Sequence, residues 1–185
     1  DTEYINTHAA YDHLPEDLKE QLTGKTASYC YLKLREIDNS GKAENLKQEE
    51  VEKANKCAIH PLFTTHPITG LRNVYANPSH TAFINGIPFE QSEELLQRLF
   101  QHSAQPQFIY RHVYQDDDVV LWDNRAVHHR ATGCSDEFPR KLVRTTVSND
   151  DVPKEEIEVN EPFKLENDRI NAEYPTHPTA VVNSV

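Results

Sequence analysis

Two adjacent histidines lie in the run Trp122-Asp123-Asn124-Arg125-Ala126-Val127-His128-His129-Arg130-Ala131. A hydrophobic stretch ends at Trp122, an Asp-Asn-Arg turn follows, and the histidines sit on a new short strand. Successive side chains on a strand face opposite ways, so at most one of His128 and His129 can reach an interior metal or substrate. Downstream, Arg140 and Arg144 are four residues apart, with Leu142 between them. On a strand that even offset puts both guanidiniums on one face. A planar fork of donors matches carboxylate or sulfonate groups bidentately. The simpler account of the pair is a solvated face balanced by the acidic surface. A zinc hydrolase using both histidines would need them side by side and a nearby Glu base, and the run offers neither. The other eight histidines (His8, His13, His60, His66, His80, His102, His112 and His177) have no metal-type partner in the sequence and read as surface or packed residues.

The elements that must position these groups are short. Pro15, the acids Glu16 and Asp17, the i, i+4 pair Leu18 and Leu22, and Gly24 predict a helix over 14–24. Residues 26–36 alternate as a strand. Residues 37–57 are highly charged and read as a surface insertion, with an exposed helix over 47–56. His60-Pro61 and His66-Pro67 punctuate an extended stretch, and Leu71 to Ala76 reads as a strand. Ser92 is expected to cap an amphipathic helix whose face carries Leu95, Leu96, Leu99 and Phe100. Residues 107–114, 119–122 and 142–148 read as strands, with 119–122 of the buried type. After Asp150 the chain is rich in Glu, Asn and Pro and reads as a loosely attached polar tail. Many short strands with two helices favour a mostly β barrel or jelly roll over a parallel α/β sheet.

Composition narrows the function. The chain has 185 residues, with 19 Lys+Arg against 30 Asp+Glu for a net charge of −11. Such an acidic balance argues against a nucleic-acid partner. No apolar run approaches the ~20 residues that span a bilayer, which argues against a membrane partner. Cys30, Cys57 and Cys134 are odd in number and lack metal-type spacing, so three reduced thiols in a cytoplasmic protein are expected. A homo-oligomer is compatible with all of this. The chain contains no Met and begins at Asp1, which suggests processing or upstream sequence.

The stretch Trp122 to Ala131, with Arg140 eleven residues beyond His129, resembles the iron(II)- and 2-oxoglutarate-dependent dioxygenases of the TauD/TfdA type. Four further segments are similar to that family. They are Asp1-Thr2-Glu3-Tyr4 with Ala10 to Leu18, His60-Pro61-Leu62 to Thr69-Gly70, Phe108 to His112, and Asp118 to Trp122. Together they run from about residue 1 to residue 150.

The resemblance implies a double-stranded β-helix of the jelly-roll or cupin-like kind, an α+β fold that is mostly β. Residues 1–150 would form its C-terminal part without the N-terminal strands, and 151–185 a polar tail. His129 takes the place of the distal iron ligand, and His128 faces away. Arg140 and Thr2 take the places of the arginine and threonine that hold the distal carboxylate of 2-oxoglutarate. Arg144 matches a second arginine, which in sulfonate-using members faces the substrate's anionic group. Trp122 and Asn124 would shape the pocket edge. Asp117 stands where the family usually has glycine before the Asp-Val-Val run. The implied activity is hydroxylation of a small anionic organic substrate, a sulfonate or an aryloxyalkanoate, with Fe(II), 2-oxoglutarate and O2. The family's other two ligands lie in a His-x-Asp/Glu motif, and no histidine here is followed two positions later by an acid. The expectation is therefore an active parent enzyme of which this chain is the C-terminal portion, binding iron weakly by itself. The alternative is a catalytically silent, ligand-binding relative of the same fold.

Overall fold

The computed structural model describes residues 1–30, 56–133, 137, 141–147 and 159–162. Strand β1 is Thr2–Asn6. Helix α1, Thr7–Asp12, follows at once, because the Asn6 side chain accepts from the Ala9 amide at 2.9 Å and caps it. Helix α2, Glu16–Leu22, starts after Pro15 with two acids in its first turn and buries Leu18 and Leu22. Gly24, at φ +77°, turns the chain into β2, Thr26–Cys30.

Strands β3 (Lys56–Pro61), β4 (Phe63–Thr65), β5 (Arg72–Val74) and β6 (Thr81–Ile84) precede the long helix α3, Phe89–Ser103. A 3-10 turn at Pro106–Phe108 leads to β7, Ile109–His112; β8 is Val127–Ala131 and β9 is Val159–Pro162. The strands form three antiparallel sheets, ordered β7-β1-β8, β6-β2-β3-β9 and β4-β5. The described residues are thus sheet-rich with few helices.

One hydrophobic cluster joins these layers. Leu95, Leu96 and Leu99 of α3 meet Leu18 and Leu22 of α2, Leu62, Val74, Ile84 and Phe108. Each fully buried side chain of this kind contributes about 1.5–3 kcal/mol relative to exposure. Ser92 does not cap α3, whose N-cap is Pro88. It lies inside the first turn, and its Oγ accepts from the Ile84 amide at 2.7 Å, fastening the helix to β6.

Several expectations need correction. Cys30 and Cys57 are disulfide-bonded, with Cα atoms 4.4 Å apart, so they are not free thiols. They are direct cross-strand partners in β2 and β3, a register that sequence spacing does not reveal. Residues 119–122 form no strand, and Val119 and Leu121 are 94% and 90% exposed rather than buried. Residues 141–147 are likewise exposed and without regular structure. β9 falls within the segment read as a tail and pairs with β3. Most of the charged insertion, together with residues 31–36, lies outside the described residues.

Candidate functional site

β1 is the central strand of its sheet, and its register with β8 organises the site. Tyr4 lies directly opposite His129, Thr2 opposite Ala131, and Ile5 opposite His128. Directly opposed residues of an antiparallel pair share a face. His129 therefore shares a face with Thr2 and Tyr4, whereas His128 shares the other with Ile5. Thr7 fixes the strand ends: its Oγ1 donates to the Ala126 carbonyl at 2.7 Å and its amide to the same oxygen at 3.2 Å.

Three rings meet on the first face. The Tyr4 and His129 centroids are 6.2 Å apart at 29°, a stacked arrangement. Trp122 tilts against both, 5.4 Å from Tyr4 and 5.1 Å from His129. The Trp122 Nε1–H donates to Asn124 Oδ1 at 2.8 Å, which holds the indole in place. The Tyr4 hydroxyl lies 3.5 Å from that of Tyr114. Burial, foremost, and the Tyr114 phenol push the Tyr4 pKa up to about 12.

The two histidines differ electrostatically. Burial pushes His128 down to about 4, partly opposed by a hydrogen bond with the Tyr75 backbone. His129 is lowered by burial and then by the positive charge of Arg144. Arg144 is itself exposed, yet close enough for its charge to act on His129. Both histidines are thus biased toward neutral imidazole, the form that can donate a lone pair to a metal.

The turn entering β8 is built around Asp123. Its carboxylate accepts from the Arg125 amide at 2.9 Å, from Arg125 Nε at 2.8 Å and from His66 Nε2 at 3.1 Å. The Arg125 guanidinium holds this carboxyl well below the usual range, with His66 helping. Earlier in the same β7–β8 connection, Asp117 has φ +68°, the left-handed region that favours glycine. The structure thus gives a backbone reason for the glycine usual at this place in the family.

Of the residues singled out from sequence, Thr2, Trp122, Asn124, His129 and Arg144 fall around this face. Thr2 is 6% exposed, and its hydroxyl hydrogen-bonds toward Tyr4. Arg140 lies outside the described residues. Sequence reasoning missed Tyr4 and Tyr114. Tyr4 carries a weak signal, two residues from Thr2 and so on the same strand face; Tyr114 reaches it only through the fold.

Among the described residues no group of three or more His, Cys, Asp or Glu side chains is placed to hold a metal ion. The described residues offer His129 as one donor on this face and do not by themselves fit an iron site of three protein ligands. Likewise, no helix among them is long and apolar enough to cross a membrane.

A model of the taurine catabolism dioxygenase TauD, TfdA family matches residues 1–146. The chain belongs to this family. It is 37% identical over 146 residues to the alpha-ketoglutarate-dependent 2,4-dichlorophenoxyacetate dioxygenase of Burkholderia sp. (strain RASC), covering 79% of this chain and 48% of that protein. It is 34% identical over 139 residues to the (S)-phenoxypropionate/alpha-ketoglutarate-dioxygenase of Sphingobium herbicidovorans, covering 71% and 46% respectively. Among solved structures, AAD-2 in complex with Mn(II) and N-oxalylglycine superposes with a TM-score of 0.66 at 28% identity, over 76% of this chain and 54% of that one. This TauD/TfdA-family chain therefore spans about half the length of the curated relatives it matches.

Proposed function

We propose that the β1–β8 face is the 2-oxoglutarate end of a dioxygenase site that hydroxylates a small anionic organic molecule. The reaction would be R–H plus 2-oxoglutarate plus O2 giving R–OH, succinate and CO2. The observation that carries this reading is the register of Tyr4 opposite His129, which brings Thr2 and His129 to one face with Arg144 nearby. In this reading the fold is the family's jelly roll, and His129 is one of three protein ligands to Fe(II). Thr2 and Arg140 hold the distal carboxylate of 2-oxoglutarate, and Arg144 meets the substrate's anionic group.

The chain's own residues have definable tasks. A buried hydroxyl and a guanidinium converging on one carboxylate fix both its position and its orientation, because charge-assisted bonds are short and directional. Tyr4 stacks on the His129 ring and Trp122 tilts against both, and these contacts restrict its rotation. His129 itself stays exposed beside them and so is open to a ligand. Relatives named for phenoxyalkanoates and for taurine, a sulfonate, support an anionic substrate. A cytoplasmic, soluble setting suits such substrates.

The reading is tested by titrating the chain with 2-oxoglutarate and following side-chain and amide resonances. Saturable shifts at Thr2 that weaken about tenfold in Thr2→Val and in Arg140→Ala are expected. Unchanged affinity in both variants would remove these residues from cosubstrate binding.

A further inference from the structure

Away from this face, a cavity of about 310 Å³ opens between the α2–β2 turn, the end of β3 and the β4–β5 hairpin. Pro61 and Phe63 give it an apolar wall, and Thr64 and Thr65 line another part. Its charged lining residues are Lys25 and Arg72, and no acid is among them. In a chain of net charge −11, a concavity whose charged lining residues are both cations is a local attractor for anions.

Arg72 carries the second observation. Among the described residues, its Nε is the one buried side-chain nitrogen or oxygen without a hydrogen-bond partner. Its guanidinium carbon lies 5.6 Å from the Tyr11 ring centroid, a cation–π contact that satisfies the charge in part and the N–H not at all. A shielded, unpaired N–H has given up its hydration with nothing in return, so such a group calls for an explanation.

We propose that this cavity binds a small organic carboxylate of about the size of benzoate. A rotation of the terminal Arg72 torsions presents Nε and one terminal nitrogen as a fork to the carboxylate. Lys25 adds a second charge, the threonine hydroxyls donate to the remaining lone pairs, and Pro61 and Phe63 take the apolar body. The site is separate from the His129 face and does not depend on the function assigned there.

The test is a benzoate titration of the 15N-labelled chain. The expected result is a saturable shift of the Arg72 Nε–H resonance and of the Thr64 and Thr65 amides, with a dissociation constant of order 1 mM. Arg72→Gln should weaken it at least about tenfold and Lys25→Gln about threefold, whereas Arg144→Ala should leave it unchanged. Lys25 lies on the turn, so Lys25→Gln keeps the test decisive even if Arg72→Gln loses its fold. An absence of saturable shifts up to about 50 mM would overturn the proposal and leave a bound water as the partner of Nε. So would shifts that survive Lys25→Gln undiminished or vanish in Arg144→Ala.

Discussion

His66 donates through Nε2 to Asp123 Oδ2 at 3.1 Å, joining the β4–β5 hairpin to the turn that starts β8. The tautomer follows from the other side of the ring. The Ile68 and Thr69 amides approach Nδ1 at 3.3 and 3.2 Å, so that nitrogen is the acceptor and the proton sits on Nε2. His66 is buried and spends both nitrogens on this bridge. His66→Ala leaves the Ile68 and Thr69 amides without their acceptor and removes one donor from Asp123, whose Oδ2 keeps Arg125. A loss of about 1–2 kcal/mol is expected, with faster hydrogen exchange at Ile68 and Thr69. Unaltered exchange there would show that the bridge does not hold the hairpin.

Asp123 also sets a pH dependence. Its folded pKa is depressed, chiefly by Arg125, so the folded state binds fewer protons than the unfolded one near pH 4. The stability it confers is present above the unfolded carboxyl pKa of about 4 and is lost as pH falls below that toward its folded value. Asp123→Asn should therefore lower the melting temperature at pH 7, and its deficit against the parent should shrink as acid is added. A deficit that stays constant down to pH 2 would contradict this ion-pair role.

The disulfide offers an independent check. Cys30 and Cys57 close a loop with a sequence separation of 27. Reduction should cost about 3–4 kcal/mol on the chain-entropy account and lower the melting temperature accordingly. Thiol counting on the denatured, unreduced chain should find one free cysteine of the three in the sequence. Three free thiols would contradict the bond.

Asp117 holds φ +68° without being glycine. A β-branched side chain tolerates that region badly, so Asp117→Val should destabilise by about 1–2 kcal/mol. Asp117→Gly should be neutral or slightly stabilising. Equal stability of all three forms would mean that the turn relaxes to another conformation.

Much of the site was legible in the sequence because its motifs are local. The Trp122–Ala131 run contains the turn, the strand and both histidines. Alternation showed that only one histidine could face inward, and the resemblance selected His129. The face shared with Tyr4 follows from pairing across more than a hundred residues, which periodicity does not report. The strand expectations do not hold at 119–122 or over the described part of 142–148, where apolar residues are exposed and nothing among the described residues pairs with them. Ser92 differs from its expected role because the helix starts earlier. It has the chemistry of a cap, but Pro88 starts the helix one turn earlier, and the hydroxyl serves β6 instead. The cysteine pairing was hidden because register, not spacing, brings Cys30 to Cys57.

The most direct test of the central claim, that the Tyr4–His129 face is the cosubstrate and metal end of a dioxygenase site, is paramagnetic line broadening by Mn(II) with 2-oxoglutarate. It reads even a weak site. The account predicts selective broadening of the His129 imidazole and of the Tyr4 and Trp122 rings, enhanced by 2-oxoglutarate and removed by His129→Ala. Broadening centred on His128 or on His66 instead, or none at His129 in the presence of 2-oxoglutarate, would contradict it.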